Sequence, residues 1–183
     1  MPRHGLPLSP FSRLASRMVL AVLIVWSFAG CARLTAGHLT LEPWAGEGSR
    51  ELSEKFMHFA FQTSQNATCY EVKGAAFPNP ENLPSWADSV DNLTLMAYLC
   101  DEHGNVLAHD ARVYPPQKIT TTGFPFDLIL RYDKDQPPGG CYVAFGYRGM
   151  FTASRPPASG GQGGGGLSGH YAFFASEQAT RTR

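Results

Sequence analysis

The chain has 183 residues, and its fifteen Lys and Arg balance fifteen Asp and Glu. A neutral total with no Lys/Arg run argues against a nucleic-acid partner and against electrostatic adhesion to anionic lipid. The length suits one domain burying about 70% of its unfolded surface.

Met1 to Arg17 carries Arg3, Arg13 and Arg17 and no acidic residue; Met18 to Phe28 is an uncharged apolar run, followed by Ala29, Gly30 and Cys31. A basic start, an apolar stretch of about 7–15 residues and small residues at the cut describe a secretory signal peptide. The run is too short for a transmembrane helix, which needs roughly 20 apolar residues. With a cysteine directly after the small residues, the segment resembles a bacterial lipoprotein signal, although Phe28 stands where that pattern usually has Leu. The resemblance implies a signal peptide over residues 1–30, cleavage between Gly30 and Cys31, and acylation of Cys31 with palmitate-type chains. Two or more acyl chains hold a protein at a membrane stably where one does not, so acylation would moor a water-soluble body. In such lipoproteins an Asp after the lipid cysteine favours retention at the inner membrane. Ala32 stands here, which implies the outer membrane, facing the periplasm. An ordinary cysteine beside an ordinary cleavage site, or an uncut anchor, are the alternatives. Cleavage leaves about 150 residues with twelve basic and fifteen acidic groups, a formal charge of about −3.

Residues 31–37 read as a lipidated tether and His38–Leu41 as a first strand. The stretch from Glu51 to Thr63 is ambiguous: Leu52, Phe56, Phe59 and Ala60 share a helical face that Ser49 could cap, while Met57, Phe59 and Phe61 alternate as in a strand. The reading favours a strand from Phe56 onward. Strands follow at Cys69–Ala75 and Leu93–Leu99, the latter with Leu93, Leu95, Ala97 and Leu99 on one face. Asp101 to Asn105 is a hairpin loop in which Gly104 supplies the positive φ. Val106–Tyr114 returns as a strand, stopped by Pro115 and Pro116. In Gly123–Leu130, Phe124, Phe126, Leu128 and Leu130 alternate inward, and Pro125 points to an edge or to the first residues of the strand. Cys141, Val143, Phe145 and Tyr147 share a face of the next strand. A Gly-rich loop over residues 156–169 separates it from a last strand, His170–Ala175, and residues 177–183 read as a flexible tail. Strands with turn signals between them and no long helix predict an all-β fold, a single antiparallel sandwich of about seven strands over residues 38–176.

Cys69, Cys100 and Cys141 remain once Cys31 is set aside. Two readings stand side by side. One is a bridge such as Cys100 to Cys141, whose loop would contribute roughly 4 kcal/mol in the chain-entropy model. The other is buried free thiols acting as small apolar residues. No pair forms a C-x-x-C zinc or redox motif.

Phe124-Pro125-Phe126-Asp127-Leu128, then Tyr132-Asp133, then Gly140-Cys141-Tyr142-Val143-Ala144-Phe145 resemble the YbaY/YscW family of bacterial lipoproteins. There a P-F-x-L strand runs into a Tyr-Asp turn, and a strand of the form Y-x-V-x-A follows. The likeness covers Thr68 to Met150. It implies a β-sandwich without catalytic residues; some members are type III secretion pilotins, chaperones that bring a secretin subunit to the outer membrane. The Gly-rich insertion and the segment from Leu39 to Asn66 depart from the pattern.

Other motifs are weak. Gly161 to Gly166 satisfies G-x-G-x-x-G but lacks the strand–helix context and the later acidic residue. Gly166 to His170 misses the final Gly of a nucleophile elbow and has no following acid and His. Asp133-Lys134-Asp135 starts like a calcium loop, but Pro137 occupies a ligand position. His103, His109 and Asp110 could meet around a hairpin, though histidines flanking a turn are usually solvated. The expectation is therefore a non-catalytic binding module without cofactor or metal, its partners a membrane through the anchor and a secretin or other envelope protein. Tyr98, Tyr142 and Phe174, on outward faces, are candidates for the partner surface, against the plainer reading that they are core of the second sheet. A structural or stress-related envelope lipoprotein and a carrier of a small apolar ligand are the alternatives.

Overall fold

Apolar side chains spaced two apart form a row on one face of a strand, and burying such rows against each other is what builds the domain. The computed structural model describes residues 33–45, 48–66, 69–132, 140–154 and 171–182. Among them there is no helix. The strands, in chain order, are β1 (Arg33–Thr35), β2 (Glu42–Pro43), β3 (Ser49–Ser53), β4 (Met57–Asn66), β5 (Cys69–Pro78), β6 (Ser89–Cys100), β7 (Val106–Tyr114), β8 (Gln117–Lys118), β9 (Phe124–Arg131), β10 (Tyr142–Thr152), β11 (Ala172–Glu177) and β12 (Thr180–Thr182). Of the eight strand positions read from the sequence, seven correspond to β4, β5, β6, β7, β9, β10 and β11, the seven of six or more residues.

Every ladder is antiparallel. One sheet runs β3-β4-β5-β9; the other runs β11-β10-β6-β7, with β2 added to β10 and β8 to β6; β1 and β12 form a separate ribbon. The two large sheets face each other and contribute to one core. Its centre is aromatic. Phe145 of β10 stacks on Phe59 at 4.6 Å and meets Phe61 edge-on at 4.8 Å and Phe126 at 5.6 Å. The inward rows are the expected ones: Leu93, Leu95, Ala97 and Leu99 on β6, Phe124, Phe126, Leu128 and Leu130 on β9, and Cys141, Val143, Phe145 and Tyr147 in and beside β10. Pro125 lies on β9, an edge strand, as its missing N–H requires. Gly104 takes a φ of 76° in the hairpin.

Several short elements differ from expectation. His38–Leu41 is a turn rather than a strand, closed by the Leu39 N–H donating to the Ala36 carbonyl at 2.8 Å. Ser49 opens β3 and caps no helix, because pairing with β4 lets Leu52 bury where a helix would leave β4 without its neighbour. Thr35 is not tether and Thr180 is not tail: β1 pairs with β12, so the segments expected to be flexible on either side of the sandwich hold each other.

A second, smaller core lies on the outer face of the six-stranded sheet. Ala36 and Leu39 pack there on Tyr98, Cys100 and Ala144. The upper part of that sheet is thus buried on both faces, which is why Ala97 to Cys100 and Val143 to Tyr147 are unbroken buried runs.

One irregularity fits the sequence closely. Arg148 pairs with Thr94 and Met150 with Asp91, so Asn92 and Leu93 together oppose Gly149. This bulge lets Val90 and Leu93, three apart, both point inward. Asn92 adopts φ 51°, a left-handed conformation that Asn tolerates and β-branched residues do not. Asn92→Val is expected to lower stability by about 1–2 kcal/mol while Asn92→Gly is neutral or better; chemical denaturation of both variants checks this, and equal losses would remove the conformational explanation.

Candidate partner surface

A sandwich can receive a partner between its sheets, along an edge strand, or in a groove on its surface. The space between the sheets is occupied by the rings around Phe145, where an enclosed apolar ligand would otherwise sit.

The β9 edge is closed by side chains of β7, the facing edge of the other sheet. Tyr114 donates its hydroxyl to the Pro125 carbonyl at 2.6 Å, and the Ile129 N–H donates to Asp110 at 2.9 Å. These bonds take up outward backbone groups that would otherwise template an added strand.

On the opposite side, the connection between β3 and β4 is tied to β11. Tyr147 donates its hydroxyl to Glu177 at 2.8 Å and accepts the Phe56 N–H at 3.2 Å. Burial pushes the Tyr147 phenol up, and the Glu177 carboxylate adds to it. Beside this pair, Glu54 accepts the Thr40 N–H at 2.9 Å. Burial raises the Glu54 carboxyl above the ordinary range, the Thr40 N–H opposes the shift, and the Glu177 charge reinforces it. A raised folded-state value means that ionised Glu54 weakens the fold: its contribution is fully favourable below the unfolded value of about 4.3 and is lost as pH rises through the folded one. Glu54→Gln is therefore expected to stabilise at pH 7 by less than about 1 kcal/mol, since the group is half exposed. The gain should vanish near pH 4; a pH series of thermal melts reads it, and a variant less stable at pH 7 would reverse the assignment.

One apolar opening on the surface is a groove of about 430 Å³, lined by Phe77, Pro78, Pro80, Leu83, Pro84 and Ile119 among others. It is built by the connection from β5 to β6, residues 79–88. Prolines set the fixed φ of its turns, and the chain is held by Asn79 N–H to the Phe56 carbonyl, Asn82 side-chain N–H to the Lys55 carbonyl at 2.7 Å, and Ala87 N–H to the Pro84 carbonyl. At its end Asp88 accepts from the Ser154 hydroxyl, from the Ser154 N–H at 2.6 Å and from the Ser89 hydroxyl at 3.0 Å. The Ser154 bonds hold the Asp88 carboxyl below its ordinary value. In the same connection Trp86 lies 5.6 Å from the Tyr171 ring. The groove is thus preformed, apolar, and rimmed by the hydroxyls of Ser85, Thr120 and Thr121.

No family model, no curated protein and no solved structure matches the chain.

The residues singled out from the sequence fall in different places. Gly30 and Cys31 lie outside the described residues, as do Asp133 to Asp135, the motif Gly161 to Gly166 and Gly166 to His170. Tyr98 is 3% exposed and belongs to the second core, not to a partner surface. Its hydroxyl accepts the Ala179 N–H at 3.2 Å and reaches the Met96 sulfur at 3.2 Å. Tyr142 is half-buried against the same core. Phe174 alone of the three is open to solvent, 59% exposed, with the Arg148 guanidinium 5.8 Å from its ring. His103 is exposed beside Glu102, and Asp110 is engaged with β9. No group of three His, Cys, Asp or Glu side chains among the described residues is placed to hold a metal ion.

Cys69, Cys100 and Cys141 are free thiols, so the Cys100–Cys141 bridge does not form. Cys100 pairs with Tyr142, one residue from Cys141, and successive residues face opposite ways. Cys100 accordingly lies in the outer core and Cys141 in the inner one. Burial, with Asp101 and Cys141 nearby, pushes the Cys100 thiol up to about 12, and burial likewise raises Cys141. Both are buried and act as small apolar residues.

Sequence reasoning misses the groove. Its only local signal is the density of prolines at 78, 80 and 84 around Leu83, which reads as an irregular connection.

Proposed function

We propose that the chain is an envelope lipoprotein, acylated at Cys31 and held at the outer membrane facing the periplasm, whose β-sandwich is a non-catalytic binding module. Within that class it acts as a pilotin-like chaperone of the YbaY/YscW type, docking a segment of a secretin subunit. The observation that carries the reading is the leader: three Arg and no carboxylate, an apolar run, then Ala29-Gly30-Cys31, directly ahead of an all-β body. The groove of Phe77, Leu83 and Ile119 supports the binding role, because apolar walls with a few hydroxyls at the rim suit an apolar run of a peptide.

The test has two parts. Cys31→Ser should abolish fatty-acid labelling and release the protein from the membrane fraction; membrane retention without label would end the lipoprotein reading. Leu83→Asp should leave labelling intact but strand the secretin at the inner membrane, as deletion of the whole protein would. Unchanged secretin location in the deletion strain rejects the pilotin role.

A further inference from the structure

We infer that Glu54 and Glu177 form a clasp between β11 and the β3–β4 turn that tightens in acid and loosens as pH rises. β11 stands at the end of the six-stranded sheet, paired with β10. Its hold on the other sheet runs through residues 54–56, which join β3 to β4. A short strand with a ladder on one side and a few contacts on the other is the kind of segment that opens before the core does.

The contacts of the clasp are specific. Phe173 meets the Phe56 ring edge-on at 5.3 Å. The Glu177 carboxylate accepts the Tyr147 hydroxyl at 2.8 Å and the Lys55 N–H at 3.3 Å, and the same hydroxyl accepts the Phe56 N–H at 3.2 Å. The turn itself is fixed from behind, because Asn79 donates its N–H to the Phe56 carbonyl at 2.9 Å and Asn82 its side-chain N–H to the Lys55 carbonyl at 2.7 Å. A strand of one sheet and a turn of the other thus share one carboxylate and one phenol.

Glu54 supplies the pH response. It precedes Lys55 in the turn, is half-buried, and accepts the Thr40 N–H at 2.9 Å. The groups that face it are Glu177 from β11, Tyr147 from β10 and His38 from the turn ahead of β2. The Lys55 ammonium lies over the Phe56 ring, 5.0 Å from its centroid. Ionised Glu54 therefore sits partly dry with a second carboxylate on the strand that the clasp must hold; neutral Glu54 does not. Because its folded-state value is raised, its favourable contribution is complete below the unfolded value of about 4.3 and is lost as pH rises through the folded one. That loss falls on β11, whose Glu177 carries the opposing charge. Undocking frees Phe173 and the outer backbone of an edge strand, the groups through which a sheet takes up an added strand.

Hydrogen exchange on the purified protein, corrected for intrinsic amide rates and run at about pH 5 and about pH 8, tests this. Amides of residues 173–177 should be less protected than those of residues 71–75 in β5, and should lose about threefold in protection between the two conditions. Glu54→Gln keeps an acceptor for the Thr40 N–H and should hold the higher protection at both. Glu177→Gln should shrink the response, and His38→Gln should leave it in place. Equal protection of β11 and β5 would mean that β11 opens only with the whole domain and overturns the clasp. A threefold fall that persists in Glu54→Gln, or that disappears in His38→Gln, overturns the assignment to Glu54. A response undiminished in Glu177→Gln overturns its coupling to β11.

Discussion

Phe145→Ala is expected to lower the unfolding free energy by about 4 kcal/mol, a large share of the roughly 5–15 kcal/mol that a domain of this size holds. Phe145 is 1% exposed and touches rings from both strands that face it, Phe59 and Phe61 on β4 and Phe126 on β9. Removing it deletes the piece on which the opposing sheet rests, and three rings anchored on their own ladders cannot converge to fill the space. The melting midpoint should fall by about 10 °C. Val113→Ala, at a position 69% exposed, is the matched comparison and should change stability by less than about 0.5 kcal/mol. A loss below about 1 kcal/mol for Phe145→Ala would mean that the two sheets do not pack through this cluster.

The second large effect comes from adding a single carbon. Gly74 sits in the middle of β5, paired with Phe61 on one side and Phe126 on the other. A Cβ there would collide with the Ala60 carbonyl oxygen and lie 2.8 Å from the Phe61 Cα. Both are backbone, so no rotamer change relieves the clash; β4 itself must withdraw. Gly74→Ala is expected to destabilise by at least about 3 kcal/mol, against the usual gain when a strand Gly acquires a side chain. Gln62→Ala, on an exposed position of β4, should be within about 0.5 kcal/mol of the parent. Urea denaturation of the three proteins decides it, and a neutral Gly74→Ala would show that β4 and β5 lie further apart than this close approach requires.

These two positions differ in how readable they are. Phe145 lies in an alternating row, Cys141, Val143, Phe145, Tyr147, and the alternation alone marks it as inward. Gly74 lies in Lys73-Gly74-Ala75, where nothing local says that a neighbouring strand passes over it. Phe174 and Tyr98 make the same contrast among the candidate surface residues. Both are aromatic and outward on their strands, yet Phe174 is open and Tyr98 is covered, because Ala179, 81 residues along the chain, donates its N–H to the Tyr98 hydroxyl. An outward position in a strand is a local property; whether another segment lies over it is not.

The apparent tether and tail show the same limit. Short, polar and terminal to the sandwich, Arg33–Thr35 and Thr180–Thr182 have no pattern of their own, and each becomes a strand only by meeting the other across 149 residues of chain.

Alternation of side chains, the turn-forming Gly, Pro and Asn residues, and the Pro-marked edge determined by themselves that this chain is all-β, which faces of its long strands are buried, and where its hairpin turns. Those features act between neighbours in sequence and need no partner to be expressed. Strand order, the bulge at Asn92, the separation of Cys100 from Cys141, the groove beside Leu83 and the cover over Tyr98 were decided by tertiary structure. Each depends on which distant backbone arrives alongside, and that choice is made by the packing of the whole core rather than by any segment within it.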